Sequence, residues 1–334
     1  MSSLIASHTS AMRAALLTLL PAFAACSDAP TSARIAQGAG VVHAAAAARG
    51  DCTVRCVNPI AFDAAAVPGD AVRHIYTVMP DGSGLTQLTS GQHSNRAPSW
   101  SANYRRIVFT SNRHGGEHNV YSMNAKGQGV TRLTNVGLPE YWPVLSPDGT
   151  KIVWVREFIN GQLGILLMNS DGTNEAAFPM GGNNMHPTFS PDSKKILFSS
   201  NMHSTSGSPY DRDIYVMNLD GSGRTRLTSH LALDENPVWS PDGSKIFFES
   251  DRSGEFGIYK MNPDGTNVEL VQMAPAGSYI GYLSLNADGT RMVYYGDAVG
   301  QRFQMSSVNG GPSTVLPLPK SLQSLGTVSW SFAR

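Results

Sequence analysis

Residues 328–334 at the end of the chain read VSWSFAR, and they match the start of a longer phrase, PVWSPDGSKIFF, at residues 237–248. The C-terminal copy stops just after its tryptophan and serine. Either the last repeat is cut short, or its remaining strands come from another part of the chain. This choice decides the fold, because a C-terminal strand that pairs with N-terminal strands closes the array into a ring whose remaining sheet edges are short and protected.

The phrase belongs to a repeat that runs through most of the chain. An aromatic residue or leucine before a small polar residue recurs every 44 to 50 residues, at Trp100, Leu145, Phe189, Trp239, Leu285 and Trp330. Each unit contains four short β-like segments separated by tight turns, and it lacks the apolar 3.6-residue period of a helical repeat. A unit of this length and content predicts a four-stranded propeller blade, in which the repeated aromatic residues mostly serve packing.

The segment count answers the question raised by the C-terminus. Six segments of the first type occur, but only five of each other type follow Trp100. The three missing segments lie upstream, at residues 60–62, 75–78 and 85–89. We therefore predict an all-β fold, a six-bladed β-propeller of four-stranded blades, closed by one C-terminal strand joined to three N-terminal strands.

The recurring sequence motifs WSPDG, KIxF, IYxMNxDG and xxRLT resemble the WD40-like PD40 repeats of the TolB-like propeller family. The resemblance covers about residues 59–334, without the α/β domain that precedes the propeller in TolB. It implies a bacterial envelope protein, since the family's propeller contacts the peptidoglycan-associated lipoprotein. The partner contacts of the α/β domain are not transferred to this chain, so a true Tol–Pal role is not implied.

Residues 1–25 have the features of a secretory signal peptide, whether the chain starts at Met1 or Met12. An arginine precedes a short apolar stretch, and small residues lead to Cys26. The sequence FAAC at residues 23–26 resembles a bacterial lipobox. The resemblance implies lipidation of Cys26 and an outer-membrane anchor, with the protein in the periplasm or at the cell surface. Without lipidation, we expect a secreted protein.

Residues 26–58 are rich in small residues and are expected to form a flexible tether before a propeller at 59–334. Cys52 and Cys56 lie in this tether as CTVRC. In an exported protein this pair favours a small disulfide loop. The alternative is a metal site, but these two cysteines provide only half of its usual four ligands, and no further ligand lies nearby in the sequence.

The composition excludes some function classes. Lys plus Arg and Asp plus Glu both total 25, so the chain has no basic surplus for nucleic acid. No stretch reaches the roughly 20 apolar residues that span a bilayer, so we expect membrane contact only through the lipid anchor. We expect a monomer with no cofactor and no metal.

Function is expected at one mouth of the central channel, where the loops between fourth and first strands meet those between second and third strands. The predicted binding residues are Arg96, Glu140, Tyr141, Trp142, His186, Asp234, Glu235 and Tyr282 on the first loop set, with Tyr210 and Asp211 on the longest insertion, residues 201–212. Exposed aromatic residues beside charges are typical of recognition surfaces. Equally, Trp142 and Tyr282 could plug the channel, and the insertion could be merely tolerated.

No catalytic residue is predicted, because no nucleophile-elbow, HExxH, P-loop or dinucleotide motif occurs. We expect a module that binds an envelope protein, peptide or glycan. The alternative is a propeller enzyme, a lyase, lactonase or other hydrolase. It would require His186 to converge with Glu140, Asp234 or Glu235 at the channel mouth.

Overall fold

The computed structural model describes residues 58–65, 71–204, 211–297, 302–322 and 325–330. Within these ranges the chain forms 24 strands in six separate four-stranded antiparallel sheets, and no helix occurs. No helix in the described part is therefore long and apolar enough to span a membrane. The predicted six-bladed propeller is confirmed.

The first three strands precede the first blade that is continuous in sequence: β1 (Ile60–Ala64), β2 (His74–Val78) and β3 (Thr86–Gln87). Blade 1 comprises β4 (Asn95–Trp100), β5 (Arg106–Ser111), β6 (Asn119–Asn124) and β7 (Thr131–Arg132). Blade 2 comprises β8 (Glu140–Leu145), β9 (Lys151–Glu157), β10 (Leu163–Asn169) and β11 (Ala176–Ala177). Blade 3 comprises β12 (Asn184–Phe189), β13 (Lys195–Ser200), β14 (Asp213–Asn218) and β15 (Thr225–Arg226).

Blade 4 comprises β16 (Asp234–Trp239), β17 (Ile246–Ser250), β18 (Gly257–Met261) and β19 (Glu269–Met273). Blade 5 comprises β20 (Ile280–Leu285), β21 (Arg291–Gly296), β22 (Arg302–Ser307) and β23 (Thr314–Val315). Blade 6 joins β24 (Val328–Ser329) to β1, β2 and β3, in that spatial order.

The middle strands of each blade are apolar because both faces of every sheet are covered. In β9, the consecutive residues Val153, Trp154 and Val155 are all fully buried. Successive side chains of a strand point to opposite faces, so consecutive burial requires a neighbour on each side. Trp154 packs with Val108 of blade 1, while Val153 and Val155 pack in a cluster with Phe189 of blade 3.

The repeated aromatic and leucine residues of the first strands are buried between blades. Each is no more than 6% exposed, at Trp100, Leu145, Phe189, Trp239, Leu285 and Trp330. Burial of this kind fits the expected packing role.

The repeated Ser-Pro-Asp motif forms the turn between the first and second strands. The hydroxyls of Ser146, Ser190 and Ser240 each donate to the aspartate two residues later at 2.6 Å. Each hydroxyl also accepts from the backbone nitrogen five residues later, at 2.8 to 2.9 Å. These turns lie at the end of the ring opposite the predicted mouth, so the most conspicuous motif of the sequence is structural.

The short C-terminal strand closes the ring. In blade 6, Ala61 pairs with Ser329 and Phe62 pairs with Val328. The backbone nitrogen of Trp330 donates to Ser284 Oγ of blade 5 at 2.8 Å. The predicted closure of three N-terminal strands by one C-terminal strand is therefore confirmed.

Asp63 is the carboxylate at this closure. It accepts hydrogen bonds from the backbone nitrogen of Thr327 and from its hydroxyl. It also pairs with Arg73 Nε at 2.5 Å and accepts from the backbone nitrogen of Ala97, in blade 1, at 3.2 Å. One buried carboxylate thus connects the last strand, the first strands and the following blade.

Candidate functional site

The innermost strand of each continuous blade carries a β-bulge at the same place. In blades 1 to 5 the pairing with the second strand shifts between the second and fifth residues of the first strand. The third residue has a positive φ in every case: Ala97 (51°), Trp142 (47°), His186 (51°), Asn236 (50°) and Tyr282 (53°). Positive φ is uncommon for bulky residues, and bulges re-aim side chains. The bulge therefore sets the direction of one side chain per blade.

These five side chains, together with Thr327 of blade 6, form one end of a central cavity of about 180 Å³ that continues along the first strands to Trp100, Pro147 and Trp330. At this end, blades 2 to 5 contribute aromatic, imidazole and amide groups, whereas Ala97 and Thr327 contribute small side chains. This end of the cavity is therefore chemically one-sided, with its polar and aromatic groups on four adjacent blades.

The three residues that begin each innermost strand lie in three different environments. The first residue is buried between blades, with Asn95, Glu140, Asn184 and Asp234 all at 0% exposure. The second residue is accessible at the mouth in blades 1 to 4, and the third lines the channel. Only the second and third positions can therefore meet a ligand without rearrangement.

Glu140 and Asp234 were predicted as surface residues, and the structure places both in buried ion pairs. Glu140 accepts from Arg156 at 2.6 Å and from Trp154 Nε1 at 2.8 Å. Asp234 pairs through both oxygens with Arg252 at 2.8 Å. A buried carboxylate requires a positively charged partner, and the two arginines supply that partner here. We therefore assign both carboxylates to the framework and correct their placement on the recognition surface.

Arg96, Tyr141 and Glu235 occupy the second positions at the mouth. Arg96 is exposed, while Tyr141 and Glu235 are partly buried. The Tyr141 hydroxyl donates to Glu157 at 3.0 Å. Burial and this hydrogen bond raise the pKa of Tyr141 to about 12, so the phenol stays neutral. These residues supply the polar rim of the site.

Trp142 and His186 form its aromatic centre. Their ring centroids are 4.3 Å apart, and Tyr141 lies 5.4 Å from Trp142. Burial, followed by the positive charge of Arg212, lowers the pKa of His186 to about 3, so its ring is neutral near pH 7. Its Nδ1 is buried and has no hydrogen-bond partner among the described residues. A neutral imidazole with a free ring nitrogen can donate to or accept from a guest.

Glu235 and His186 share Arg212 as a charged neighbour. The Arg212 guanidinium pairs with Glu235 at 3.1 Å, and its charge also acts on His186. Of the three carboxylates considered as partners for His186, the structure links Glu235 to it in this way. Glu140 and Asp234 are engaged elsewhere.

Glu249 is a site residue that the sequence prediction missed. It lies on β17 directly opposite Glu235 and is 0% exposed. Its Oε2 accepts from Asn236 at 2.7 Å and from the Tyr279 hydroxyl at 2.9 Å, while Oε1 has no partner among the described residues. Burial and then the charge of Glu235 raise the pKa of Glu249 well above its usual range. A charged residue inside the apolar run IFFES was the available signal.

The model of the TolB β-propeller domain matches residues 64–208 and 181–324, which together cover most of the chain. The chain belongs to the TolB β-propeller family. The resemblance seen in the repeated words is confirmed.

Two curated relatives show how far the TolB-like similarity extends. An uncharacterized protein of Agrobacterium fabrum is 26% identical over 195 residues, which is 56% of this chain and 64% of the relative. A TolB homolog of Chlorobium luteolum is 29% identical over 153 residues, which is 46% of this chain and 33% of the relative. The chain therefore spans less than two thirds of the length of these relatives.

Among solved structures, TolB from Acinetobacter baumannii superposes with a TM-score of 0.68 at 18% identity. The match covers 82% of this chain and 66% of that one. At this identity the likeness establishes the TolB-like fold.

The predicted contact loop of this TolB-like propeller is only partly described, and Tyr210 lies outside the described residues. Asp211 is 6% exposed and accepts from Ser204 Oγ at 3.0 Å, so its carboxylate faces the protein. His203 pairs with the Tyr215 hydroxyl at 2.8 Å. Among the described residues of this loop, Arg212, which was not among the predicted binding residues, reaches the site through its ion pair with Glu235.

The described ranges contain no group of three or more His, Cys, Asp or Glu side chains that could hold a metal ion. Cys26, Cys52 and Cys56 lie outside the described residues. Their predicted lipidation and disulfide therefore remain predictions.

Proposed function

We propose that this TolB-like propeller binds a protein or peptide at the channel mouth and that it is an exported, lipid-anchored envelope protein. The observation that carries the proposal is the Trp142–His186 pair. Both side chains are partly exposed, lie on bulged strands of a rigid ring, and border a cavity. Aromatic residues in such positions are typical anchors of protein recognition.

The size of the cavity favours a protein or peptide over a free small molecule. At about 180 Å³ it is smaller than the roughly 300–1,000 Å³ of pockets that enclose drug-sized ligands. It suits one inserted side chain or one chain end, while the rest of the partner rests on the rim. A glycan would also use the aromatic rings, but it would insert little into such a cavity.

The buried ion pairs beneath the mouth support binding by a preformed surface. Glu140 with Arg156 and Asp234 with Arg252 fix the starts of β8 and β16. Trp142 and Glu235 lie within two residues of these anchors. Little conformational entropy then has to be lost when the partner docks, which favours affinity.

The proposed location rests on residues 1–58, which the sequence assigns to a signal, lipidated Cys26 and a tether with Cys52 and Cys56. Replacing Cys26 with Ser tests it. We expect the variant to move from the membrane fraction to the soluble envelope fraction and to lose incorporation of a labelled fatty acid. Unchanged membrane association of that variant would contradict the anchor.

Crosslinking in the native envelope tests the binding role. We expect wild-type protein to capture a specific partner and the double variant Trp142→Ala with Glu235→Ala to lose it. Lys194→Ala is the matched control, because Lys194 is exposed on the turn between β12 and β13 at the opposite end of the ring. Capture that survives the double variant would contradict the proposed surface, and capture of a glycan would contradict the partner class.

A propeller enzyme is the second candidate, and one observation favours it. His186 is neutral near pH 7 and keeps a free Nδ1 that can accept a hydrogen bond from a substrate hydroxyl or from water. Its pKa of about 3 makes it a weak general base, because an efficient base has a pKa near the working pH. Turnover of ester, lactone or uronate substrates that is lost in His186→Ala but retained in Lys194→Ala would support an enzyme. Binding without any turnover that depends on His186 would support the binding module.

A further inference from the structure

Two acidic residues occupy the same position in different blades. Asp63 faces Ile75 across the strand pair β1–β2, and Glu249 faces Ile258 across the equivalent pair β17–β18. Both carboxyls lie behind the channel wall and are at most 2% exposed. The ring therefore offers an internal comparison between two acids in matched surroundings.

The two acids have similar neutral donors. Asp63 accepts from Thr327, the channel residue of its own blade, and from the backbone nitrogen of Ala97, the channel residue of the next blade. Glu249 accepts from Asn236, the channel residue of its own blade. The backbone of Tyr282, the channel residue of the next blade, is also a donor to Glu249, and this hydrogen bond lowers the pKa of Glu249. Neutral donors alone do not distinguish the two sites.

The cation distinguishes them. Asp63 pairs with Arg73, the residue immediately before β2. The residue in the same place before β18 is Phe256, whose ring packs on Tyr279 at 5.0 Å. Glu249 forms no ion pair among the described residues, and the Arg212 guanidinium pairs with Glu235, which faces Glu249 across the strand pair. The blade 4 acid therefore lacks the positive group that the blade 6 acid receives.

The free acceptor of Glu249 is a single oxygen. Oε2 receives the Asn236 amide and the Tyr279 hydroxyl, and Oε1 has no partner in the described structure. The backbone leaves room for this arrangement at Gly281, where any Cβ would collide with the Tyr279 hydroxyl and with Glu249 Oε2. An unpartnered buried carboxylate oxygen is costly, so a partner that supplies a donor is strongly favoured.

We propose that Glu249 is the receptor for a primary ammonium group of the bound partner, a lysine side chain or a peptide N-terminus. The ammonium enters from the cavity between Asn236 and Tyr282 and donates to Oε1. This proposal rests on the proposed binding role and names the chemistry of its occupant. A guanidinium fits less well, because its planar fork prefers both carboxylate oxygens and Oε2 is already occupied.

The test uses n-butylammonium as the probe and n-butanol as its neutral isostere, with binding followed by ligand-observed NMR on the full chain. We expect wild-type protein to bind n-butylammonium more tightly than n-butanol. Glu249→Gln should weaken n-butylammonium binding by roughly tenfold or more, as expected for loss of a charged hydrogen bond. Glu269→Gln is the control and should leave n-butylammonium binding unchanged, since its carboxylate is mostly exposed on the outermost strand of the same blade.

A second variant, Phe256→Arg, supplies in blade 4 the cation found in blade 6. It should also abolish n-butylammonium binding, because the new guanidinium would pair with Glu249. Equal binding of the two probes to the wild type, or unchanged n-butylammonium binding in Glu249→Gln, would overturn the proposal. If only the ammonium site is wrong, the wild-type protein should still capture its partner in a way that depends on Trp142. If the proposed binding function is wrong, no such capture should occur.

Discussion

The carboxylate of Asp63 accepts two hydrogen bonds from Thr327, one from its hydroxyl at 2.7 Å and one from its backbone nitrogen at 3.1 Å. The two residues are 264 positions apart in the sequence. A single side chain therefore joins the two ends of the propeller, and the same carboxylate also binds Arg73 and the next blade. The closure depends on charge as well as on strand pairing.

Replacing Asp63 with Ala should destabilise the ring by about 3–5 kcal/mol, because it leaves the partly buried Arg73 without its carboxylate. Chemical denaturation of the purified protein measures this change. Lys194→Ala, on an exposed turn, should stay within about 0.5 kcal/mol of the wild type. Equal stability of the Asp63 variant and the control would show that strand pairing alone closes the ring.

Deleting residues 328–334 should lower the melting temperature of the whole domain, because it removes β24 and exposes the edge of β1. Differential scanning calorimetry is the measurement. A shorter deletion of residues 331–334 leaves β24 in place and should melt close to the wild type. A transition of the longer deletion that matches the parent would contradict the role of β24.

Two tryptophans should separate stability from binding. Trp239 is 6% exposed, so Trp239→Ala should cost about 3–5 kcal/mol of folding free energy. Trp142 is partly exposed at the mouth, so Trp142→Ala should weaken partner binding by about 2 kcal/mol or more and change stability less. Denaturation and a binding titration with the captured partner test the pair. Loss of binding in neither variant would remove Trp142 from the site.

Glu249→Gln should stabilise the protein at neutral pH. Burial raises the pKa of Glu249, with Glu235 as the second cause, while Asn236 and Tyr279 oppose the shift. The unfolded carboxyl titrates near pH 4.3, so the wild type loses stability as pH rises from there towards the folded pKa. The advantage of the Gln variant should therefore be small at pH 4 and larger at pH 7.

Melting curves of both proteins between pH 4 and pH 8 test this sign. The other charged groups around the pair are Arg212 and Asp251, which act on Glu235 and are retained in both proteins. An advantage that is constant across this range would mean that Glu249 titrates normally.

The fold could be predicted from the sequence because each blade repeats the same sequence motifs. Turn residues and apolar segments located the strands, and their count required the C-terminal strand of Trp330 to complete a blade begun at Ile60. Register within the first strands was not predictable. The bulge before residues such as Pro143 and Pro187 places three successive residues in three different environments. No residue type in these strands indicates from the sequence that the bulge is present.

The site was therefore predicted only in part. Trp142, His186 and Glu235 lie where function was expected, but Glu140 and Asp234 turn inward to arginines of their own blades. Glu249 was missed because it lies on a second strand, away from the loops that the propeller topology brings to the mouth. Its role depends on Tyr279, which belongs to the neighbouring blade and is 30 residues away in the chain.

Site-specific photocrosslinking in the native envelope is the most direct test of partner binding at the channel mouth. A photoreactive residue at Met185, which lies at the mouth between Trp142 and Glu235 in the order of blades, is compared with one at Lys194 on the opposite end. We expect a specific protein adduct from position 185 that disappears with Trp142→Ala, and none from position 194. An adduct from position 194 alone, or one from position 185 that persists without Trp142, would contradict it.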